Sequence, residues 1–333
     1  MTYDPWTPQP APQTRREAQA AQATSEGGFG GFGGFETSTD TFRRRLRTRQ
    51  GLPAGARVLR QLTSLFRSDD YPQRLSAAAA GAQEPVTTGR RIAVISSRGG
   101  AGKTTTTALL ASVFAAMRQD SVAAVDNDPG LGSLTLRLGL EQAPSVDELA
   151  SAVVSGTPAS HAELAGRMRA AEANLYATGV RLWQPRAEYP ALGNALTAVS
   201  RYFPITLIDC PTGISHPDSV WAIKSSHAVV QVVPATVSGV NDALSYARAW
   251  RQDPATHALP LLTVVTSTDS DAPLDPVKEA VRLSREGLDV LALPYDRHLA
   301  AGVEIDLGLL APQTRLDATT LASTALHAAN GNR

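Results

Sequence analysis

Three observations predict an α/β fold, with a mostly parallel sheet flanked by helices and a disordered N-terminal extension before it. From residue 91 onward, apolar β-like runs alternate with amphipathic stretches, the pattern of strands joined by crossover helices. A glycine-rich loop stands where the first of these runs meets an Ala/Leu-rich stretch, and parallel sheets bind ligands at the carboxyl ends of their strands. Composition also changes before residue 91. Residues 1–90 hold 12 Arg/Lys against 8 Asp/Glu, whereas 91–333 hold 19 against 23, so a basic and a mildly acidic part cancel to zero formal charge. With 333 residues, 43% of them apolar and 19% charged, the chain has core material for one large or two modest domains.

The extension comes first. Residues 1–41 are poor in aliphatic side chains and rich in Pro, Gln, Gly, Thr and Ala, with a triple Gly-Gly-Phe repeat at 27–35. Together with the run Phe42-Arg43-Arg44-Arg45-Leu46-Arg47-Thr48-Arg49 they make a basic, low-complexity segment over 1–55 that cannot bury enough apolar surface to fold. Its phenylalanines either do nothing or dock in an aromatic or apolar groove. Over 56–67, Val58, Leu59, Leu62, Leu65 and Phe66 recur at helical spacing, flanked by Arg57, Arg60 and Arg67, which predicts a basic amphipathic helix. Such a helix suits an anionic membrane surface, a protein partner's groove, or a face of its own chain. Residues 68–90, including the Ala-rich run before Gln83-Glu84-Pro85, read as a linker.

Strands are expected over 91–97, 121–127, 175–183, 204–209, 227–233, 261–266 and 288–293. No apolar run reaches the roughly 18 residues that span a bilayer, and the N-terminus lacks the apolar centre of a signal peptide. A cytoplasmic location is therefore expected, with peripheral membrane attachment as an option. Cys210 is the single cysteine, which excludes an intrachain disulfide, a Cys-x-x-Cys site and a one-chain all-cysteine cluster. It reads as a small buried residue.

The chemistry is expected after the strands. Arg98-Gly99-Gly100-Ala101-Gly102-Lys103-Thr104-Thr105 follows Ile92-Ala93-Val94-Ile95 and opens a helix. Glycines allow φ > 0 and bring successive N–H groups toward an anion; Lys103 reaches terminal phosphates, and the Thr104 hydroxyl suits Mg²⁺. Past the second strand stand Asp126-Asn127-Asp128-Pro129-Gly130, whose two carboxylates can reach the same phosphate–Mg²⁺ site; the bland alternative is a solvated turn. Ile205-Thr206-Leu207-Ile208-Asp209 ends a strand in an acid that can hold Mg²⁺ through its water shell.

These parts, in this order, resemble the MinD/ParA group of P-loop ATPases. The loop is similar to the deviant form K-G-G-x-G-K-[ST], with Arg98 in place of the usual lysine and Ser97 in place of the first glycine of the ordinary loop. The resemblance extends through Val232-Val233-Pro234 and Val290–Asp296, nearly all of 91–330. It implies a P-loop NTPase with ATP and Mg²⁺ as cofactors, and slow, partner-stimulated hydrolysis. It also implies that Asp128 positions the attacking water, that the Gly213 N–H meets the γ-phosphate, and that Pro294 and Tyr295 lie in the base-binding loop. The family's signature lysine crosses to the partner subunit's phosphates in an ATP-sandwiched homodimer, so that role falls on Arg98. Arginine keeps the charge but is a planar fork, which leaves lost, retained and altered hydrolysis open. Thr266-Ser267-Thr268 stands where an adenine-reading asparagine is usual, and no Asn-Lys-x-Asp guanine motif occurs; ATP is favoured over GTP.

Among relatives, the iron–sulfur branch needs clustered cysteines, the tyrosine-kinase branch a tyrosine-rich tail, and membrane-oscillating MinD a basic amphipathic tail. This chain has one cysteine, no tyrosine after Tyr295, and an Ala/Thr-rich tail from Arg315 to Arg333. DNA-partitioning ParA is disfavoured by the acidic balance of 91–333 but stays open, as does a nucleotide sensor without hydrolysis. The chain most resembles actinobacterial MinD-like ATPases with long N-terminal extensions, some linked to type VII secretion. Its extension is then an adaptor for a protein partner, an anionic membrane or, less favoured, DNA.

Overall fold

A computed structural model describes residues 70–130 and 132–331. The extension over 1–55 and the amphipathic helix expected over 56–67 lie outside the described residues. Eight strands form one sheet: β1 (Arg90–Ile95), β2 (Val122–Asp126), β3 (Arg169–Ala170), β4 (Leu175–Ala177), β5 (Ile205–Asp209), β6 (Ala228–Pro234), β7 (Leu261–Thr266) and β8 (Val290–Leu293). Their order is β3-β4-β2-β5-β1-β6-β7-β8. All neighbours run parallel except β3 and β4. The helices are α1 (Tyr71–Ala82), α2 (Lys103–Met117), α3 (Leu134–Arg137), α4 (Val146–Ser155), α5 (His161–Ala165), α6 (Tyr189–Tyr202), α7 (Pro217–Lys224), α8 (Val237–Gln252), α9 (Pro276–Arg285), α10 (Arg297–Ala300) and α11 (Pro312–Gly331). This is the predicted α/β class.

The central strands are apolar throughout because both faces are covered. On β1, Ile92 and Val94 join Leu109, Leu110 and Phe114 of α2 and Leu321 and Leu326 of α11. Ala93 and Ile95, pointing the other way, join Leu149 of α4, Leu192 and Val199 of α6, and Phe203 just after it. A third cluster packs Val240 of α8 and Leu283 of α9 around Val265 of β7. The strand period of two thus sorts one sequence into two cores.

Two expectations are corrected. The segment read as a linker over 68–90 holds α1, which packs on α11 and buries Ala78 and Ala82. Alanine is the best helix former and lets backbones approach closely; Gly81 goes further, since a Cβ there would fall 2.0 Å from Ser323 Oγ. The strand expected over 175–183 stops at Ala177. Beyond it the Thr178 hydroxyl accepts from the Asp126 N–H (3.0 Å), and the chain loops outward to Trp183, which has φ 65° and is 99% exposed. The short antiparallel β3 was not anticipated.

Candidate functional site

The glycine loop runs from β1 into α2 at the carboxyl edge of the sheet. Gly100 and Gly102 have φ of 74° and 86°, a region where a Cβ is strained, so the loop's shape depends on glycine there. Gly102 is the residue before α2 and leaves its first N–H groups without a side-chain cap. Uncapped N–H groups and the helix dipole together attract an anion. From the far side the Thr266 hydroxyl donates to Ala101 O (2.7 Å), fixing the loop against the end of β7.

Asp209 ends β5 directly beside β1 and β2, in register with Val94 and with Asp126. Three side chains of α2 converge on it. Lys103 Nζ (3.0 Å) and Thr107 Oγ1 (3.0 Å) donate to Oδ1, and Thr104 Oγ1 donates to Oδ2 (2.7 Å). Burial works against the Lys103 charge, but attraction to and hydrogen bonding with Asp209 outweigh it, so the ammonium is held above its ordinary pKa. Asp126 is 1% exposed. Its Oδ1 accepts from the Asp128 N–H (3.2 Å), and its Oδ2 has no partner among the described residues. Burial, then the Asp209 and Asp128 charges, push its carboxyl well above the usual carboxylate range. A buried, unpartnered carboxylate oxygen calls for a cation or donor, and an oxygen-rich set containing Thr104, Asp126 and Asp209 fits Mg²⁺, which takes one or two carboxylates with phosphate and water.

In front of these residues opens a cavity of about 380 Å³. Of the residues singled out in the sequence, Arg98, Gly100, Ala101, Gly102, Lys103, Thr104, Thr105, Asp128 and Pro294 line it. Gly99, Asp126, Asp209, Gly213 and Tyr295 do not. The Gly213 N–H donates to Ser96 O (3.0 Å), and Tyr295 is partly exposed at the surface. Arg98 is engaged within its own chain: Nε donates to Asp242 Oδ2 (2.7 Å) and Nη2 to Oδ1 (3.3 Å), with Ser97 Oγ also on Oδ2 (3.2 Å). Asp128 Oδ1 accepts from the Gly130 N–H (2.9 Å), as in the turn reading of that segment.

Several lining residues carried no signal in the sequence. Arg137 reaches the cavity from α3, its Nη1 donating to Leu299 O (2.8 Å). Leu299 and Ala300 of α10 add an apolar wall beside Leu293 and Pro294. Asp296 also lines it, but caps α10, accepting from the N–H groups of His298 and Leu299 on Oδ1 and of Ala311 on Oδ2. The cavity therefore has a cationic, N–H-rich end and an apolar slot, matching a polyphosphate joined to a flat ring.

The sequence profile described as the CobQ/CobB/MinD/ParA nucleotide binding domain matches residues 92–306. The chain is 31% identical, over 223 residues, to the ESX-1 secretion-associated protein EspI of Mycobacterium tuberculosis. That match covers 62% of this chain and 31% of EspI, so the chain spans under a third of that curated relative. Among solved structures, a ParA family ATPase from Chlorobium tepidum TLS aligns with a TM-score of 0.57 at 16% identity, covering 72% of this chain and 98% of that one. The septum site-determining protein MinD from Pyrococcus horikoshii OT3, complexed with Mg-ADP, aligns with a TM-score of 0.51 at 20% identity, covering 70% and 94%. These two likenesses show the fold.

Proposed function

The chain belongs to the CobQ/CobB/MinD/ParA nucleotide binding domain family, and on that premise we propose that it is an ATP-binding and ATP-hydrolysing switch of the MinD/ParA type that dimerises on ATP. The observation that carries this is the convergence of Lys103, Thr104 and Thr107 on Asp209, with the unpartnered Oδ2 of Asp126 on the neighbouring strand. Lys103 is held on a carboxylate from which a phosphate, itself anionic, can draw it at small electrostatic cost. N–H groups from Gly99 to Thr105 then cradle the phosphates. Thr104, Asp126 and Asp209 would hold Mg²⁺ directly or through water, which would supply positive charge to offset that of the phosphates. Asp128 orients the water that attacks the terminal phosphorus, giving ADP, phosphate and a proton. The Gly213 N–H leaves Ser96 O to meet that phosphate, Pro294 and Tyr295 flank the base, and Arg98 leaves Asp242 for the phosphates of a second copy.

EspI is named as secretion-associated; the corresponding proposal for this chain is service to a secretion machine, with the extension as adaptor. One observation favours a second reading, an ATP sensor without hydrolysis: Arg98 already has a bidentate partner in Asp242.

Thermal unfolding with and without Mg²⁺-ATP tests the site. At 100 times Kd the ligand should add about 2.7 kcal/mol, a rise of roughly 5–10 °C for a domain this size. Lys103→Ala should lose most of that rise; an equal rise in variant and parent sinks the assignment. Light scattering separates switch from sensor: Asp128→Ala should accumulate an ATP-bound dimer, whereas a parent that stays monomeric with ATP and releases no phosphate is a sensor.

A further inference from the structure

We propose that Arg186, outside the nucleotide cavity, is a positioning residue that sets the carboxylates of Asp126 and Asp128. The inference rests on the nucleotide-site reading above and deepens it.

Arg186 lies in the loop that leaves the shortened β4 and enters α6. Its guanidinium reaches three elements at once. Nη1 donates to both carboxylate oxygens of Asp147 (3.2 Å each) in the first turn of α4, Nε donates to Asp218 Oδ1 (3.3 Å) in the first turn of α7, and Nη2 donates to Asn127 Oδ1. Asn127 is fully buried and stands between Asp126 and Asp128. It is also bound at its other polar groups: its N–H donates to Asp209 O (2.9 Å) and its Nδ2 to Asp218 O (3.2 Å). Residue 127 therefore joins the loop after β2 to β5 and to the helix after it, and Arg186 occupies its side-chain acceptor.

The anchor itself is rigid. Ser145 caps α4 in a reciprocal pair with Glu148, which fixes the first turn carrying Asp147, and the Ala187 N–H donates to Asp147 Oδ1 (2.8 Å) beside the guanidinium. Asp147 and Asp218 are both largely buried, at 20% and 7% exposure. Without the arginine, the Asp147 and Asp218 carboxylates would both lose their guanidinium partner, and the Asn127 oxygen would lose its donor. The least costly relief is rotation of Asn127, which turns the backbone on which Asp126 and Asp128 sit. A planar fork can serve three acceptors; an ammonium on a flexible stem cannot hold the same geometry.

The network reaches the phosphate cradle of Gly100 to Thr105 only through the Asp209 backbone, by the Asn127 N–H bond, and no side chain of it contacts the loop's N–H groups, so the proposal separates two quantities. Arg186→Ala should keep the affinity for ATP without Mg²⁺ within about twofold of the parent, by titration of a fluorescent ATP analogue. It should raise the Mg²⁺ concentration for half-maximal ATP-dependent thermal stabilisation at least fivefold, and lower phosphate release at least tenfold where the parent hydrolyses. Arg186→Lys, the milder change, should fall between. Arg181→Ala removes a neighbouring, more exposed arginine that pairs with Glu148 at 3.4 Å, and should behave as the parent. A parent-like Mg²⁺ requirement in both Arg186 variants overturns the proposal and leaves the nucleotide reading standing. Loss of ATP affinity in step with Mg²⁺ response assigns Arg186 a general structural role and also overturns it. A parent that binds no ATP overturns the nucleotide reading and this proposal together.

Discussion

Asp126 and Asp209 end neighbouring strands in register, yet their surroundings differ. Asp209 is saturated by one ammonium and two hydroxyls, while Asp126 has burial and two like charges to contend with. The sign of the resulting pH effect follows from its raised pKa. A carboxyl whose folded value lies above its unfolded value contributes stability below the unfolded pKa and loses it as pH rises through the folded one. At neutral pH the nucleotide-free protein therefore carries a destabilising group at its site, a common trade of stability for function. Asp126→Asn removes the charge and keeps an acceptor for the Asp128 N–H. We expect nucleotide-free melting at pH 7 to rise by roughly 2–4 °C, about 1 kcal/mol for a domain of this size, the gain to vanish toward pH 4, and the Mg²⁺-dependent part of ATP stabilisation to disappear. A variant that melts below the parent at pH 7 contradicts the electrostatic account.

At the element scale, the junction between β1 and β6 depends on a histidine. The Arg91 N–H donates to His227 Nδ1 (3.0 Å), and the His227 N–H donates to Arg91 O (2.8 Å), so the imidazole extends the parallel ladder by one bond. Protonation would put a hydrogen on the accepting nitrogen. Burial, then the nearby Arg91 and Arg90 guanidiniums, lower the His227 pKa to about 4. A folded value below the unfolded value of about 6.5 means the unfolded chain binds the extra proton first, so stability is complete above pH 6.5 and is lost as pH falls toward 4. Urea midpoints measured across that window should fall in the parent. In His227→Asn, whose side-chain oxygen can accept without titrating, that fall should be shallower; equal slopes would remove His227 as the cause.

For the whole molecule the open question is what the extension attaches to. Eight arginines stand in 42–67 beside the apolar set Val58, Leu62, Leu65 and Phe66. Arginines serve lipid headgroups and nucleic acid alike, at about 1 kcal/mol per cation near an anionic surface, but only lipid or a protein groove buries an apolar stripe. Among the described residues no helix is long and apolar enough to cross a membrane. We expect the full chain to sediment with anionic liposomes at low salt, and Leu62→Asp combined with Phe66→Asp to release it. If the double variant holds liposomes and DNA as tightly as the parent, the arginines act alone as a polycationic tether, and the DNA-partitioning reading gains.

The sequence by itself determined the phosphate loop and the order of the parts around it. These features are local: glycines at 100 and 102 meet a backbone need that only a few consecutive residues create, and an acid after an apolar run marks a strand end wherever the strand lies. Tertiary structure decided the rest. Setting β5 between β2 and β1 brings Asp209 beside Asp126, and the fold sets Arg98 against Asp242, 144 residues away in the chain. It made a helix of the alanine run at 77–80, because alanine fits either a linker or a close helix contact and α11 supplies the contact. It ended the third expected strand at Ala177, past which the Thr178 hydroxyl accepts from the Asp126 N–H and the Gly179 N–H turns away to Pro144 O. Arg186 belongs to this second group. Nothing in its neighbourhood along the chain announces Asn127, Asp147 and Asp218, because the three acceptors meet only when three separate elements pack.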